Sequence, residues 1–325
     1  MNITYFYRAP SFFFSIEKVS RSFISEIEKT EQVENVYLPC ENFTIWSVLK
    51  NLLYTYRHRN RKGINHITGD IHYCMIALIG CKTVLTIHDI GFVENESNIL
   101  KRFLFWLLEI YLPVKIATRV ICISESTKKS LLKYVSKKDI LVIPNSVQSI
   151  FEYKEYMNND IPVILHIGTT GNKNLSRIIK SLYGVKCCFR IIGRLNEKNL
   201  KELSINMINY SNDYDLSDQQ ILLEYQKCDI VSFPSLYEGF GMPILEAQAV
   251  GRAVLTSDIS PMKEIAGGGA ILVNPYDIDS IKKGFLSLIQ DSNLRCNLIN
   301  KGLKNVEKYN SKYVSDKYIQ IYSLL

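Results

Sequence analysis

Two parallel α/β domains in one chain are what this sequence predicts, on three observations. Its 325 residues suffice for two domains of about 150 residues each. Hydrophobic residues make up 47% of the chain and charged residues 22%, enough for a full core in each half. Short apolar runs alternate with helix-period patterns from one end to the other, the rhythm of strand–helix–strand units.

In the first half, apolar runs place strands at residues 3–7, 36–38, 64–68, 83–87, 119–123 and 141–143. Between the first two, Ile16, Val19, Phe23 and Ile27 recur at helical spacing and predict a helix over residues 15–29 with one buried stripe. The second half repeats the rhythm at 162–167, 189–192, 207–210, 230–233, 253–256 and 270–273. Residues 148–160, polar with an Asn-Asn-Asp tip, read as the linker. The domains are therefore expected at 1–150 and 151–310. The last stretch, 311–325, carries Tyr313, Tyr318, Ile321, Tyr322 and Leu325 on one helical face.

Charge is uneven. Residues 1–150 hold 19 Lys and Arg against 13 Asp and Glu, whereas the remainder holds 20 against 19. A basic first half suits an anionic partner or a solvated basic face. The run Arg57-His58-Arg59-Asn60-Arg61-Lys62 matches no nucleic-acid motif, so no nucleic-acid partner is expected. Eight cysteines without a Cys-x-x-Cys pair read as reduced core residues of a cytosolic protein. The N-terminal segment lacks a basic leader, and no apolar run approaches about 20 residues; neither a signal peptide nor a membrane span is expected.

The chemistry concentrates in residues 234–251, where Glu238 and Glu246 bracket a glycine turn and the start of a helix. Ile230, Val231 and Phe233 lead in as a buried strand, Gly239 and Gly241 supply the loop, and Pro243 suits an early helical position. Gly251 closes the helix. The amides at Phe240, Gly241 and Met242, with the positive end of the helix dipole, make a seat for phosphate. One acid is then placed for a sugar near the phosphate and the other for a ribose, the outline of a nucleotide-sugar site. Asp213-Tyr214-Asp215 has a metal-chelating spacing but precedes the helix-start signal Leu216-Ser217-Asp218, and it reads as loop and capping chemistry.

The stretch Glu-Gly-Phe-Gly-Met-Pro-Ile-Leu-Glu-Ala, with seven residues between Glu238 and Glu246, resembles the signature of the family 4 retaining glycosyltransferases. Other segments match that family in order. They are Thr86-Ile87-His88-Asp89, Cys122-Ile123-Ser124-Glu125-Ser126-Thr127, Ile143-Pro144-Asn145-Ser146-Val147, Gly168-Thr169-Thr170-Gly171-Asn172-Lys173-Asn174 and Glu264-Ile265-Ala266-Gly267. The resemblance implies the GT-B architecture: two Rossmann-like domains facing a cleft, with the C-terminal helix returning to the first domain. The N-terminal domain would serve the acceptor and the C-terminal domain the nucleotide sugar.

For the residues, the resemblance implies that Glu246 accepts hydrogen bonds from the ribose and that Glu238 orients the donor sugar beside the reacting carbon. Lys173, with Gly168 and Thr169 in its loop, would hold the diphosphate. The commoner family form has an arginine where Thr169 stands, so the second basic group falls to Arg194. His88 is implied as a donor-sugar or acceptor contact, with Asp89 next to it on the acceptor side; His72, in another loop after a strand, borders the acceptor side or packs at a helix start. No metal or other cofactor is implied. The expected activity is transfer of a sugar from a UDP- or GDP-sugar to a lipid-linked surface-polysaccharide acceptor, in the cytoplasm, with contact to the anionic membrane face. Another enzyme on the same fold, such as a nucleotide-sugar epimerase or a phosphorylase, and a non-catalytic nucleotide- or nucleic-acid-binding module are the alternatives.

Overall fold

The structure, a computed structural model, describes residues 1–10, 15–94, 96–155 and 159–325. The chain forms two compact units, one of residues 1–146 with 311–325 and the other of residues 147–310. Each is built on a six-stranded sheet in which every pairing is parallel.

In unit 1 the strands are β1 (Asn2–Tyr7), β2 (Gln32–Tyr37), β3 (Ile64–Ile67), β4 (Lys82–Ile87), β5 (Arg119–Cys122) and β6 (Ile140–Val142). Their order across the sheet is β2-β1-β3-β4-β5-β6, so the winding reverses between β1 and β3. β3 and β4 are buried on both faces, apart from Lys82 at the start of β4, and they carry Asn65, His66, Thr83 and Thr86 among their apolar residues. The helix Ser15–Ile27 buries Val19, Phe23 and Ile27, the stripe its spacing predicts.

The C-terminal helix Ser311–Ser323 belongs to unit 1. Tyr318 stacks on Phe23 with ring centroids 4.3 Å apart, and the Tyr322 hydroxyl lies 2.9 Å from that of Tyr5 and 2.6 Å from His66 Nδ1. His66 Nε2 meets Thr86 Oγ1 at 2.8 Å. Burial, and next to it the nearby His88, holds the His66 imidazole down to about 3, so it is neutral in the fold. Its folded value lies below its ordinary one, so the unfolded chain takes up the proton first. The contribution is complete above about pH 6.5 and is lost as pH falls toward about 3. Urea titrations of His66→Gln should show a smaller stability loss between about pH 7 and about pH 4 than the parent chain. An undiminished loss would place the acid sensitivity elsewhere.

In unit 2 the strands are β7 (Val163–Ile167), β8 (Cys188–Ile192), β9 (Tyr210–Asp213), β10 (Ile230–Phe233), β11 (Ala253–Ser257) and β12 (Ile271–Val273). Their order is β12-β11-β10-β7-β8-β9, the doubly wound arrangement whose reversal lies between β7 and β10. The loops after β7 and β10 therefore leave adjacent strands in opposite directions and open a crevice at the carboxyl edge.

Two sequence expectations are corrected. The strand expected at 207–210 lies at 210–213, because Met207 takes a left-handed φ of 50° in the turn that closes the helix Glu197–Ile205. β9 is a polar edge strand, so the apolar Met207 and Ile208 were misleading markers. The segment expected as a linker, 148–160, is fastened to unit 2 in its described part. The Lys154 amide donates to Val250, Phe151 meets Tyr225 edge to face, and Asn159 Nδ2 donates to Asp229. Its residues 156–158 lie outside the described residues.

Candidate active site

At the switch point of unit 2 the loop 168–174 follows β7 and the loop 234–241 follows β10. Gly168 has φ +96°, and a Cβ there would come within 3.0 Å of the Lys173 side chain, so glycine lets the lysine fold back over its own loop. Asn174 takes a left-handed φ of 63° and donates through Nδ2 to the carbonyls of Pro234 (3.0 Å) and Pro275 (2.7 Å). This buried amide pins the β7 loop to its neighbours.

The result joins two residues that the sequence places 65 positions apart. Lys173 Nζ donates to Glu238 Oε1 at 2.6 Å, and Asn172 Nδ2 donates to the same oxygen at 3.3 Å. The ammonium also sits 4.7 Å from the Phe233 ring centroid. Both side chains of the ion pair are mostly buried, which lowers screening and sharpens the pair's geometry.

The helix Met242–Val250 starts beside this pair. Gly241, at φ +123°, is its N-cap, Pro243 lies in its first positions and no side chain caps it. A diphosphate is the kind of group such a terminus accepts. Phe240 is buried and packs edge-on against Tyr309, fixing the loop before the helix. One turn in, Glu246 Oε2 accepts the Tyr225 hydroxyl at 2.7 Å. Burial first and the adjacent Glu246 next hold the Tyr225 phenol well above its ordinary value, so it stays a donor.

Arg194 lies outside this cluster. Its guanidinium pairs with Asp215 and lies 4.4 Å from the Tyr214 ring, and only its carbonyl reaches the β7 loop, accepting Thr169 Oγ1 at 2.8 Å. Asp213 pairs in turn with Arg190 at 2.5 Å. The two acids of Asp213-Tyr214-Asp215 are thus each held by an arginine, and the following helix is capped by Ser217 and Gln220.

In unit 1 a second group of polar residues gathers at the reversal between β1 and β3. Arg8, after β1, grips Glu17 through two hydrogen bonds of 2.7 and 2.9 Å and reaches Asp70, after β3, at 3.1 Å. His88 directly follows β4 and donates from Nε2 to the Thr68 carbonyl at 2.7 Å, which leaves Nδ1 as the ring's acceptor. Gly69 makes room for it: a Cβ there would stand 2.7 Å from His88 Cδ2. Burial keeps His88 below its ordinary value and neutral. His72 opens a 3-10 turn and donates from Nδ1 to the Glu109 carbonyl at 2.9 Å. Asp89 caps the next turn by accepting the Gly91 amide at 2.9 Å.

A cavity of about 310 Å³ in unit 1 is lined by Phe43, Asp70, Asp89, Phe92, Phe105 and Glu109. The sequence reading named Asp89 but missed Asp70 and Glu109. Glu109 sits in a π-helical turn, Trp106–Tyr111, a distortion that recurs at functional positions. Burial first, then the nearby Asp70, push its carboxyl up to about 8. Its signal was the single acid interrupting an apolar run. Carboxyls beside aromatic faces suit a sugar, which offers hydroxyls at its rim and C–H groups on its faces.

Comparisons with known proteins bear on the fold and the family. A sequence profile described as Glycosyltransferase Family 4 matches residues 36–149, and one described as Glycosyl transferases group 1 matches residues 147–305. The O-antigen chain mannosyltransferase RfbU of Salmonella typhimurium is 30% identical over 63% of this chain and 60% of its own length. The UDP-Gal:alpha-D-GlcNAc-diphosphoundecaprenol alpha-1,3-galactosyltransferase of Escherichia coli is 26% identical over 90% of this chain and 84% of its own. The chain spans 34% and 60% of the first two curated relatives it matches. Among solved structures, Anabaena HepE in complex with UDP-glucose aligns over all of both chains at 14% identity with a TM-score of 0.79, a likeness of fold. Two parallel doubly wound units and consecutive profile matches across residues 36–305 give one conclusion: the chain belongs to glycosyltransferase family 4, the group 1 glycosyl transferases of GT-B fold.

Proposed function

We propose that this protein is a retaining glycosyltransferase. It would move a hexosyl group from a UDP- or GDP-sugar to a lipid-linked saccharide in surface-polysaccharide assembly. It would work without a metal, on the cytoplasmic face of an anionic membrane. The observation that best supports this reading is the Lys173–Glu238 pair beside the start of the helix Met242–Val250. The activities named for the relatives, mannosyl and galactosyl transfer, support the hexosyl donor.

In the reaction, the bond from the anomeric carbon to the diphosphate oxygen breaks and its electrons leave with the nucleoside diphosphate. The acceptor hydroxyl oxygen bonds to the same carbon on the same face, and its proton passes to the departing diphosphate. Lys173 and the amides at Gly241 and Met242 neutralise the charge that grows on the leaving group. Glu238, released from Lys173 as the diphosphate arrives, orients the sugar and balances positive charge at the anomeric centre. Glu246, held in place by Tyr225, accepts the ribose hydroxyls. Arg194 serves the diphosphate only if it leaves Asp215. On the acceptor side, Asp89 acts with Asp70 and Glu109, which line the unit 1 cavity, and His88 and His72 act beside them.

A thermal-shift screen with UDP, GDP, ADP and their sugars tests the donor half. A ligand at about a hundred times its dissociation constant stabilises by about 2.7 kcal/mol, and either UDP or GDP should do so. No shift with any of them would reject the donor site. Recovery of an isomerised nucleotide sugar, with none transferred to an acceptor, would favour the epimerase reading.

A further inference from the structure

The backbones of β7 and β10 pair at Ile164 with Ile230 and at Leu165 with Val231. One residue further, near the carboxyl ends of both strands, a side chain makes the tie. His166 is fully buried, and its Nδ1 lies 3.0 Å from the Ser232 carbonyl. A carbonyl only accepts, so Nδ1 carries the proton and Nε2 keeps a lone pair. Burial, the largest influence, holds the imidazole down to about 4 and neutral; the Ser232 carbonyl opposes it, and the charge of Lys173 reinforces it.

Packing does not call for a histidine at this position. Its neighbours on the same face of the sheet are Ile164 in β7 and Phe189 and Ile191 in β8, all apolar and fully buried. Among the described residues Nε2 has no hydrogen-bond partner, and neither has the buried Ser232 hydroxyl. A ring nitrogen left without a partner in an apolar layer costs stability that leucine would not. What histidine supplies there, and leucine cannot, is the one hydrogen bond to Ser232.

That bond lies at the root of the two loops whose tips hold Lys173 and Glu238. Gly168, two residues after His166, opens the lysine's loop; Phe233, directly after Ser232, places its ring 4.7 Å from the Lys173 ammonium. Further out, the Leu236 amide donates to the Asn172 carbonyl at 2.8 Å, and the ion pair itself closes the span. We propose that His166 is a positioning residue for the nucleoside diphosphate. Its Nδ1 hydrogen bond to Ser232 sets the spacing of the two loops, and with it the place of Lys173 and Glu238. The inference rests on the donor reading above and adds to it a residue that touches neither the donor nor the reacting atoms.

The test is calorimetric titration of the full chain with UDP and GDP, read beside the melting temperature. His166→Leu should melt near the parent yet bind the nucleotide about tenfold more weakly. His166→Asn puts an amide N–H where Nδ1 stands and should bind within about threefold of the parent. His166→Gln puts it where Nε2 stands and should bind as weakly as the leucine variant. A histidine serving stability alone would lower the melting temperature and would not sort asparagine from glutamine by nucleotide affinity. The parent chain gives an arm that needs no substitution. Long-range nitrogen–proton NMR of the imidazole, assigned through contacts with the Phe189 ring 6.1 Å away, should show the Nδ1–H tautomer. Its resonances should move as the nucleotide saturates the site. An Nε2–H tautomer, a ring blind to saturating nucleotide, or an asparagine variant as weak as the leucine variant would overturn the proposal. A parent that binds none of UDP, GDP and ADP would remove the donor reading and this inference with it. A parent that binds, matched by all three variants, would remove this inference alone.

Discussion

Glu238→Gln is expected to lower turnover at least about a hundredfold, on the order of 3 kcal/mol in barrier, with the fold intact. Glutamine keeps the shape and an accepting oxygen for Asn172, but it removes the charge that now faces Lys173. Two effects then separate. The lysine, no longer neutralised, should hold the nucleoside diphosphate at least as tightly as before. The developing charge at the anomeric carbon loses its counterpart, so the loss should appear in the chemical step. Initial-rate kinetics with calorimetric titration of UDP or GDP resolve the two. Near-normal turnover by a folded Glu238→Gln protein would remove Glu238 from the proposed machinery.

Arg252→Met should cost about 3 kcal/mol of stability, read as a fall of roughly 6–12 °C in the melting temperature of a unit this size. Arg252 is 1% exposed and spends its guanidinium on four carbonyls: Lys154, Val250 and Gly251 from Nη1, and Gln226 from Nη2. Val250 ends the helix whose other end lies beside the Lys173–Glu238 pair, and Gln226 lies in the last turn of the helix Asp218–Lys227. The cation therefore serves the negative ends of two helix dipoles and ties residue 154 to both. Methionine fills part of the volume but leaves those carbonyls without their donor. A melting temperature within about 2 °C of the parent would show that water replaces the guanidinium freely.

Much of the fold was legible because buried parallel strands are largely apolar on both faces, as at residues 230–233 and 253–257. It failed at β9, where an edge strand of Tyr-Ser-Asn-Asp carries no apolar signal. The helix start at Met242 and the placing of Glu238 and Glu246 about it were legible from local chemistry, a glycine turn and a proline. The Lys173–Glu238 pair was not, because it depends on β7 and β10 being neighbours, a fact of strand order. Tyr225 was invisible for the same reason, as its partner Glu246 lies across a strand and a loop. Arg194 was a reasonable basic group by position, but no sequence rule announced that Asp215 would occupy it.

The stacking of Tyr318 on Phe23, and of the Tyr322 hydroxyl between Tyr5 and His66, has a consequence for biosynthesis. A ribosome delivers unit 1 in two instalments separated by the whole of unit 2. Until the final helix emerges, the nascent chain must wait with an aromatic surface open on its earlier half, while the later half is free to settle first. Co-translational maturation should thus run against chain order, with unit 1 the last to close.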